Sequence, residues 1–468
     1  MLAPLGHKHV TFKDRFWAPR IETNRKVTLP IEYAQCRKTG RLAAWTWKKG
    51  RPNPPHIFWD SDVAKWLEAV GYSLERHPDA KLEKLADGVI RDMARAQAAD
   101  GYLNSHYQFV EPGKRWTNLR DCHELYCAGH LMEAAVAYSR ATGKRTFLDV
   151  MCRYADCIDK TFGTRKGQKR GYCGHEEIEL ALVKLFHATG EARYLNLAKY
   201  FVDERGRHPN YFVEEASKRG DMKLRPFMDA KNLYLQAHAP VRGQTEAVGH
   251  AVRAMYLCSG MADVAAGTGD ASLRAACRRI WKSATQRRMY ITGGIGSSRH
   301  GERFTCDYDL PNETAYAETC ASIGLVFFAH RMLQAEADGE YADVMERALY
   351  NGVMSGVSLD GKHFFYANPL TAHPVSYAAR TGDDHGDHTD PTRQEWFGCA
   401  CCPPNIARLL ASLGQYVYSQ RGDVLYVHLY ADGTASCNLA GQRVTVTQRT
   451  EYPWQGAEIG RASCRERV

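Results

Sequence analysis

Ala188-Thr189-Gly190-Glu191 closes one apolar-periodic segment and, within a few residues, another begins. Three further stretches read the same way: Ala141-Thr142-Gly143-Lys144, Gly267-Thr268-Gly269-Asp270 and Ala337-Asp338-Gly339-Glu340. Each offers a glycine where a helix C-terminus wants a left-handed residue, and a new helical pattern follows. With Arg76-His77-Pro78-Asp79 and the helix after Pro404, these hinges divide residues 60–420 into roughly six helical hairpins. On the first helix Val63, Trp66, Leu67, Val70, Gly71 and Leu74 share one face. Repeated hairpins build either an open solenoid or a closed α/α toroid. Long irregular insertions at 291–313 and 357–401 favour the closed form, whose pocket they would build, because open solenoids keep more regular connections.

Beyond residue 420 the period changes from helical to alternating. Val424 to Tyr430, a turn at Ala431-Asp432-Gly433, Ala435 to Leu439 and Val444-Thr445-Val446 read as strands. The expected organisation is therefore a mainly α chain: an N-terminal strand segment over 1–20 that joins the β-domain, a barrel over 21–420, and the start of a β-sandwich over 421–459. Residues 460–468, Gly460-Arg461-Ala462-Ser463-Cys464-Arg465-Glu466-Arg467-Val468, show neither strand alternation nor turn logic and read as a non-native tail.

The composition sets bounds on function. At 468 residues the chain exceeds the size of one ordinary core. Its mean hydropathy of −0.46 and 25% charged residues are those of a water-soluble protein, and no apolar run is long enough to cross a bilayer. No secretory signal pattern opens the chain, so a cytoplasmic location is expected. The net charge of +9 is spread among 53 acids without a basic stripe or a nucleic-acid module, which argues against nucleic acid as a partner. Fifteen cysteines in such a chain are expected to be reduced. Cys127, Cys152, Cys157, Cys258 and Cys277 fall inside helical patterns, where a thiol behaves as a small apolar group.

Two separated motifs point to chemistry: Glu318-Thr319-Cys320, and Gly398-Cys399-Ala400-Cys401-Cys402-Pro403-Pro404-Asn405. Three thiols and a carboxylate suit a soft divalent ion such as Zn2+, with Glu318, Cys320, Cys401 and Cys402 as the four ligands and Cys399 to spare. Glu318 and Cys320 would diverge on a regular helix, so they converge only if they precede it, with the helix starting near Ala321. Pro403 and Pro404 open a helix at its first turn. A structural zinc is one reading; the carboxylate ligand and the absence of paired C-x2-C elements lean towards catalysis. His123, His175 and His250 each stand early in a helix of a different hairpin, positions that would face one funnel and hydrogen-bond a hydroxyl-rich ligand. Ala99-Asp100-Gly101-Tyr102-Leu103-Asn104 adds an aromatic turn of the kind that lines sugar sites.

These motifs, with Asp60-Ser61-Asp62-Val63-Ala64-Lys65-Trp66, His123-Glu124-Leu125-Tyr126-Cys127, Gly174-His175-Glu176-Glu177 and Gly301-Glu302-Arg303-Phe304, resemble glycoside hydrolase family 127, the β-L-arabinofuranosidases, from about Val10 to about Val446. The resemblance implies an (α/α)6 barrel followed by β-sandwich domains that continue past residue 450. It implies a zinc site of three cysteines and a glutamate, and a retaining mechanism. By motif position Cys401 matches the nucleophile, Glu302 the acid/base, and Glu318, Cys320 and Cys402 the other ligands. His123, His175 and His250 match sugar-binding residues, joined by Glu346 and Tyr366. The implied partner is a small arabinose-containing oligosaccharide or glycoconjugate, with a homodimer as the expected self-assembly. Alternatives are another furanosidase, an epimerase or a lyase on the same barrel, or a zinc-stabilised carbohydrate-binding scaffold.

Overall fold

The computed structural model describes residues 1–372 and 388–464. Strands β1 (Ala3–Pro4) and β2 (Val10–Phe12) precede α1 (Trp17–Thr23), which runs through a π-helical turn into α2 (Leu29–Lys38). The hairpins follow: α3 (Trp59–Arg76) with α4 (Ala80–Ala96), a short α5 (Ser105–Phe109), α6 (Glu124–Thr142) with α7 (Thr146–Thr161), and α8 (Ile178–Thr189) with α9 (Ala192–Glu204). After α10 (Tyr211–Arg219) come α11 (Ala251–Thr268) with α12 (Ala271–Arg287), α13 (Thr319–Glu336) with α14 (Gly339–Arg347), and α15 (Cys402–Ala411).

Helices α3, α6, α8, α11, α13 and α15 each pack on the next, and α15 packs on α3, so the ring closes. The toroid expected from the hinges is the fold found. Inner helices are buried nearly all round; α3 is buried from Asp60 to Leu74. Outer helices bury one stripe, as α4 does with Leu82, Ala86, Val89, Ile90 and Met93. Close approach within the ring depends on glycine. A Cβ on Gly71 of α3 would stand 2.8 Å from the Tyr138 nitrogen of α6, and one on Gly129 of α6 would meet Glu177 Cγ at 2.7 Å.

The sixth hairpin is not made of neighbours in sequence. The outer cover of α15 is the N-terminal α1–α2 run, where Asn24 Nδ2 donates to the Ala407 carbonyl (3.0 Å) and Trp66 Nε1 to that of Leu29 (3.0 Å). The hinges behave as read in three of four cases: Gly143, Gly190 and Gly269 are left-handed, with φ of 72°, 76° and 72°. At the fourth, Ala337 takes the left-handed position (φ 57°) and Gly339 opens the next helix.

Strands β3 (Tyr418–Arg421), β4 (Val424–Val427), β5 (Gly433–Leu439), β6 (Gln442–Thr450) and β7 (Glu458–Cys464) form two sheets, ordered β1-β3-β4 and β2-β5-β6-β7. The N-terminal strands join both sheets, Ala3 opposite Gln420 and Val10 opposite Ala435. The reading of 460–468 as lacking strand structure is corrected over 460–464, which pair with β6 from Gly460 opposite Gln448 to Cys464 opposite Val444. This is an edge strand held by backbone pairing, and Arg461 and Ala462 are exposed, so no apolar alternation announces it. Residues 465–468 lie outside the described residues. No helix among the described residues is long and apolar enough to cross a membrane.

Candidate active site

The inner helices bring their N-termini to one end of the ring. His123, His250, Glu318 and Cys401 are the residues immediately before α6, α11, α13 and α15, and His175 stands three residues before α8. Helix N-termini carry unsatisfied N–H groups and partial positive charge, so this end of the barrel suits anionic side chains.

Glu318 and Cys320 do converge, and the reason differs slightly from that expected. Helix α13 begins at Thr319, two residues earlier than read, with Glu318 extended (φ −57°, ψ 138°) just outside it and Cys320 in its first turn. Cys401 and Cys402 straddle the start of α15, with the prolines in its first turn. The donor atoms of Glu318, Cys320, Cys401 and Cys402 all lie within 4.8 Å of one another. Cys320 Sγ is 3.5 Å from Cys401 Sγ and 3.4 Å from Cys402 Sγ; Cys401 and Cys402 sulfurs are 3.6 Å apart. Glu318 Oε1 is 3.4 Å from Cys401 Sγ and 3.7 Å from Cys402 Sγ. A tetrahedron with bonds of about 2.3 Å to sulfur and about 2.1 Å to oxygen has edges of about 3.6–3.8 Å, so the set has the size of a Zn2+ site.

Burial pushes the Glu318 carboxyl and the Cys402 thiol well above their ordinary values. Burial opposes ionisation of Cys320 as well, yet the neighbouring thiols of Cys401 and Cys402 bring it to about 6. Four acidic groups this close cannot all ionise without a cation among them. The thiols also differ in access. Cys320 and Cys402 are 1% and 0% exposed, whereas Cys401 is only partly buried.

Glu302 belongs to the 291–313 insertion. It stands at a left-handed φ of 51° beside Gly301, in a tight turn where Ser298 and Arg303 exchange backbone hydrogen bonds. His250 Nε2 lies 2.7 Å from Glu302 Oε2, and the Tyr316 hydroxyl donates to Oε1 (2.7 Å). Because His250 Nδ1 accepts the Arg253 N–H as a helix cap, Nε2 carries the proton and donates to Glu302. Burial alone would raise the Glu302 carboxyl; these two donors, with the charge of His388, hold it at about 2.

His175 stands between the other two histidines, its ring centroid 5.6 Å from each. Burial lowers all three, His123 and His175 well below the ordinary imidazole value, so these two present uncharged rings, whereas at His250 the Glu302 carboxylate opposes the shift. His123 Nδ1 is buried without a partner among the described residues. Tyr366 joins the site with its hydroxyl 3.0 Å from Cys401 Sγ, and Cys399 lies 3.7 Å from the same hydroxyl.

Glu346 does not join it. This residue is on outer helix α14 and accepts from the Tyr452 hydroxyl (2.6 Å) of the segment between β6 and β7. Its place in the sugar pocket is therefore corrected to a contact between barrel and strands. Two residues of the site escaped the sequence reading. Tyr316 lies two positions before Glu318, and His388 stacks on Tyr366 (3.7 Å, 3°) with Nδ1 4.0 Å from Glu302 Oε1. No spacing rule marks either one; proximity to Glu318 was the only available signal for Tyr316.

A profile described as "Beta-L-arabinofuranosidase, GH127 catalytic domain" matches residues 9–415. A non-reducing end β-L-arabinofuranosidase of Bifidobacterium longum is 46% identical over 410 residues, which are 86% of this chain and 61% of that protein. The chain thus spans less than two thirds of that curated relative. The crystal structure of a GH127 β-L-arabinofuranosidase from Geobacillus stearothermophilus T6 superposes with a TM-score of 0.93 at 52% identity, over 97% of this chain and 73% of that one. A GH127 β-arabinofuranosidase structure superposes at 0.88 with 41% identity, covering 99% and 69% of the two chains.

Proposed function

The chain belongs to the GH127 β-L-arabinofuranosidase family, and from that premise we propose that it is a retaining glycosidase that releases terminal β-L-arabinofuranosyl residues. The observation that carries the reading is the tetrahedral spacing of one carboxylate and three thiols, with Cys401 the least buried thiol of the three. Glu318, Cys320, Cys401 and Cys402 would hold Zn2+. When bound, the ion would supply the positive charge that keeps the sulfurs deprotonated at neutral pH, where a free thiol of pKa about 8.5 is mostly protonated.

The neutral histidines His123 and His175 hydrogen-bond the sugar hydroxyls without adding charge, while His250, whose ring nitrogens are taken by the Arg253 N–H and by Glu302, lines the pocket and orients Glu302. Cys401 Sγ attacks the anomeric carbon as the bond to the aglycone oxygen breaks, and Glu302 passes its proton to that oxygen. Water then attacks the same carbon, Glu302 takes the water proton, and the Cys401 sulfur leaves. Two inversions give retention.

The first step needs Glu302 protonated, whereas His250 and Tyr316 favour its carboxylate. The opposing influence is Glu318, which falls within 4.8 Å of Glu302 and His250 together. With Zn2+ bound, three thiolates and a carboxylate would carry a formal charge of −2, which would favour the protonated form of Glu302. Cys401→Ser and Glu302→Gln are each expected to lower turnover of an aryl β-L-arabinofuranoside by about a thousandfold or more. Near-wild-type rates in either variant would overturn the assignment. Turnover of the aryl glycoside with inversion would replace the thiol nucleophile by a water mechanism.

A further inference from the structure

Lys65 lies on inner helix α3 and is 0% exposed. Its ammonium donates to the Tyr126 hydroxyl (2.8 Å) and stands 5.3 Å from that ring's centroid. No carboxylate among the described residues pairs with it, which is unusual because a buried ammonium without a counter-charge is costly. Other buried cations of the barrel have an acid: Arg205 pairs with Glu176 (2.8 Å), Arg41 with Asp62 (2.7 Å), and Arg408, 2% exposed, with Glu68 (2.8 Å) and Glu133 (2.7 Å). Burial disfavours the ammonium, and Tyr256 and the thiols of Cys320 and Cys401 favour it. Helix α3, which carries Lys65, also packs directly on α15, which carries Cys402.

We propose that Lys65 is a positioning residue of the thiolate set, a buried ammonium that balances the charge of Cys320 and Cys401 and so tightens the site's hold on a soft divalent metal. This rests on the metal reading given above. An occupied set with formal charge −2 is left with −1 when Lys65 is counted, at a depth where solvent screens little. Tyr126 acts as the fixed acceptor that keeps the ammonium in place, and its ring is part of the same wall as His123 and His175 (centroids 5.5 and 4.2 Å). A charge held there affects the sulfurs and not the sugar hydroxyls, so it bears on metal affinity and on kcat and leaves KM nearly unchanged.

The test is zinc affinity by chelator competition on the whole chain, wild type against Lys65→Met and Lys65→Arg, with aryl-glycoside kinetics alongside. Lys65→Met is expected to weaken zinc binding about tenfold or more and to lower kcat with KM within twofold, and Lys65→Arg to recover part of both. Tyr126→Phe, which keeps the ring and removes the acceptor, is expected to weaken zinc binding severalfold, and it decides the matter if Lys65→Met does not fold. Wild-type zinc affinity in folded Lys65→Met, or in both Lys65→Arg and Tyr126→Phe if it does not fold, would overturn the role of Lys65 while leaving the metal site intact. A wild-type chain that takes up no zinc would overturn the metal reading and this inference with it.

Discussion

Two of the buried acidic clusters of the barrel interior are neutralised in different ways. Deep among the inner helices, Glu68 and Glu133 meet Lys184 and Arg408: Lys184 Nζ is 2.9 Å from each carboxylate, and Arg408 Nη1 is 2.8 and 2.7 Å from them. Two acids face two bases, and the cluster is balanced by its own side chains. About 9 Å up α15 from Arg408, at the rise of an α-helix, the thiols and Glu318 form no ion pair among the described residues, and Lys65 is the cation proposed to balance them. The neighbouring trio His130, Glu133 and Glu177 also has the spacing of a metal site. Its surroundings argue otherwise: the Glu133 carboxylate is already paired with Lys184 and Arg408, and a metal ion there would have to displace them. Spacing alone nominates both clusters, and the local charge balance separates them.

That contrast can be broken at either end. The largest effect on stability is expected from Arg408→Met, which strands Glu68 and Glu133 beside a single remaining cation; a loss of about 3–5 kcal/mol is expected in denaturant unfolding, and an unchanged midpoint would show that the deep cluster is not the structural one. Stripping the thiol set with a chelator is expected to cost about 3 kcal/mol under zinc in hundredfold excess over its Kd, seen as a fall of a few degrees in Tm. Glu133→Gln should leave the zinc stoichiometry at one per chain; a drop to zero would move the metal to the deeper cluster.

Smaller, and finer, is Tyr316→Phe. Tyr316 donates to the Glu302 carboxylate and so lowers its pKa. Removing that donor raises the pKa, and because the acid step needs the proton, the alkaline limb of kcat/KM is expected to move up by about one pH unit. A limb that stays or moves down would detach it from Glu302.

Much of this was legible in the residues, for identifiable reasons. The hinges follow from a local rule, that a left-handed C-cap favours glycine, and Gly143, Gly190 and Gly269 obey it. Ala337 shows the limit, since packing on either side can hold an alanine at φ 57°. The sixth hairpin was hidden because α1–α2 and α15 are distant in sequence, and only closure of the ring makes them partners. The ligand set was legible because adjacent thiols before paired prolines leave little choice of local conformation. Glu302 was placed by its resemblance to family members, and its donors Tyr316 and His388 come from loops whose convergence no period encodes. Glu346 shows the opposite error: a residue assigned to the pocket turned out to join Tyr452 across the barrel–strand contact. Strand β7 was missed because an exposed edge strand needs only backbone partners.

The central claim is that Cys401 forms the bond to the sugar. It is tested most directly by incubating the chain with an epoxide-bearing, cyclophellitol-type mimic of β-L-arabinofuranose, measuring the intact mass and mapping the labelled peptide. The account predicts one added probe mass per chain on Cys401, lost in Cys401→Ser. Label on Glu302 or Glu318 in place of Cys401, or no label on a chain that hydrolyses the aryl glycoside with retention, would contradict it.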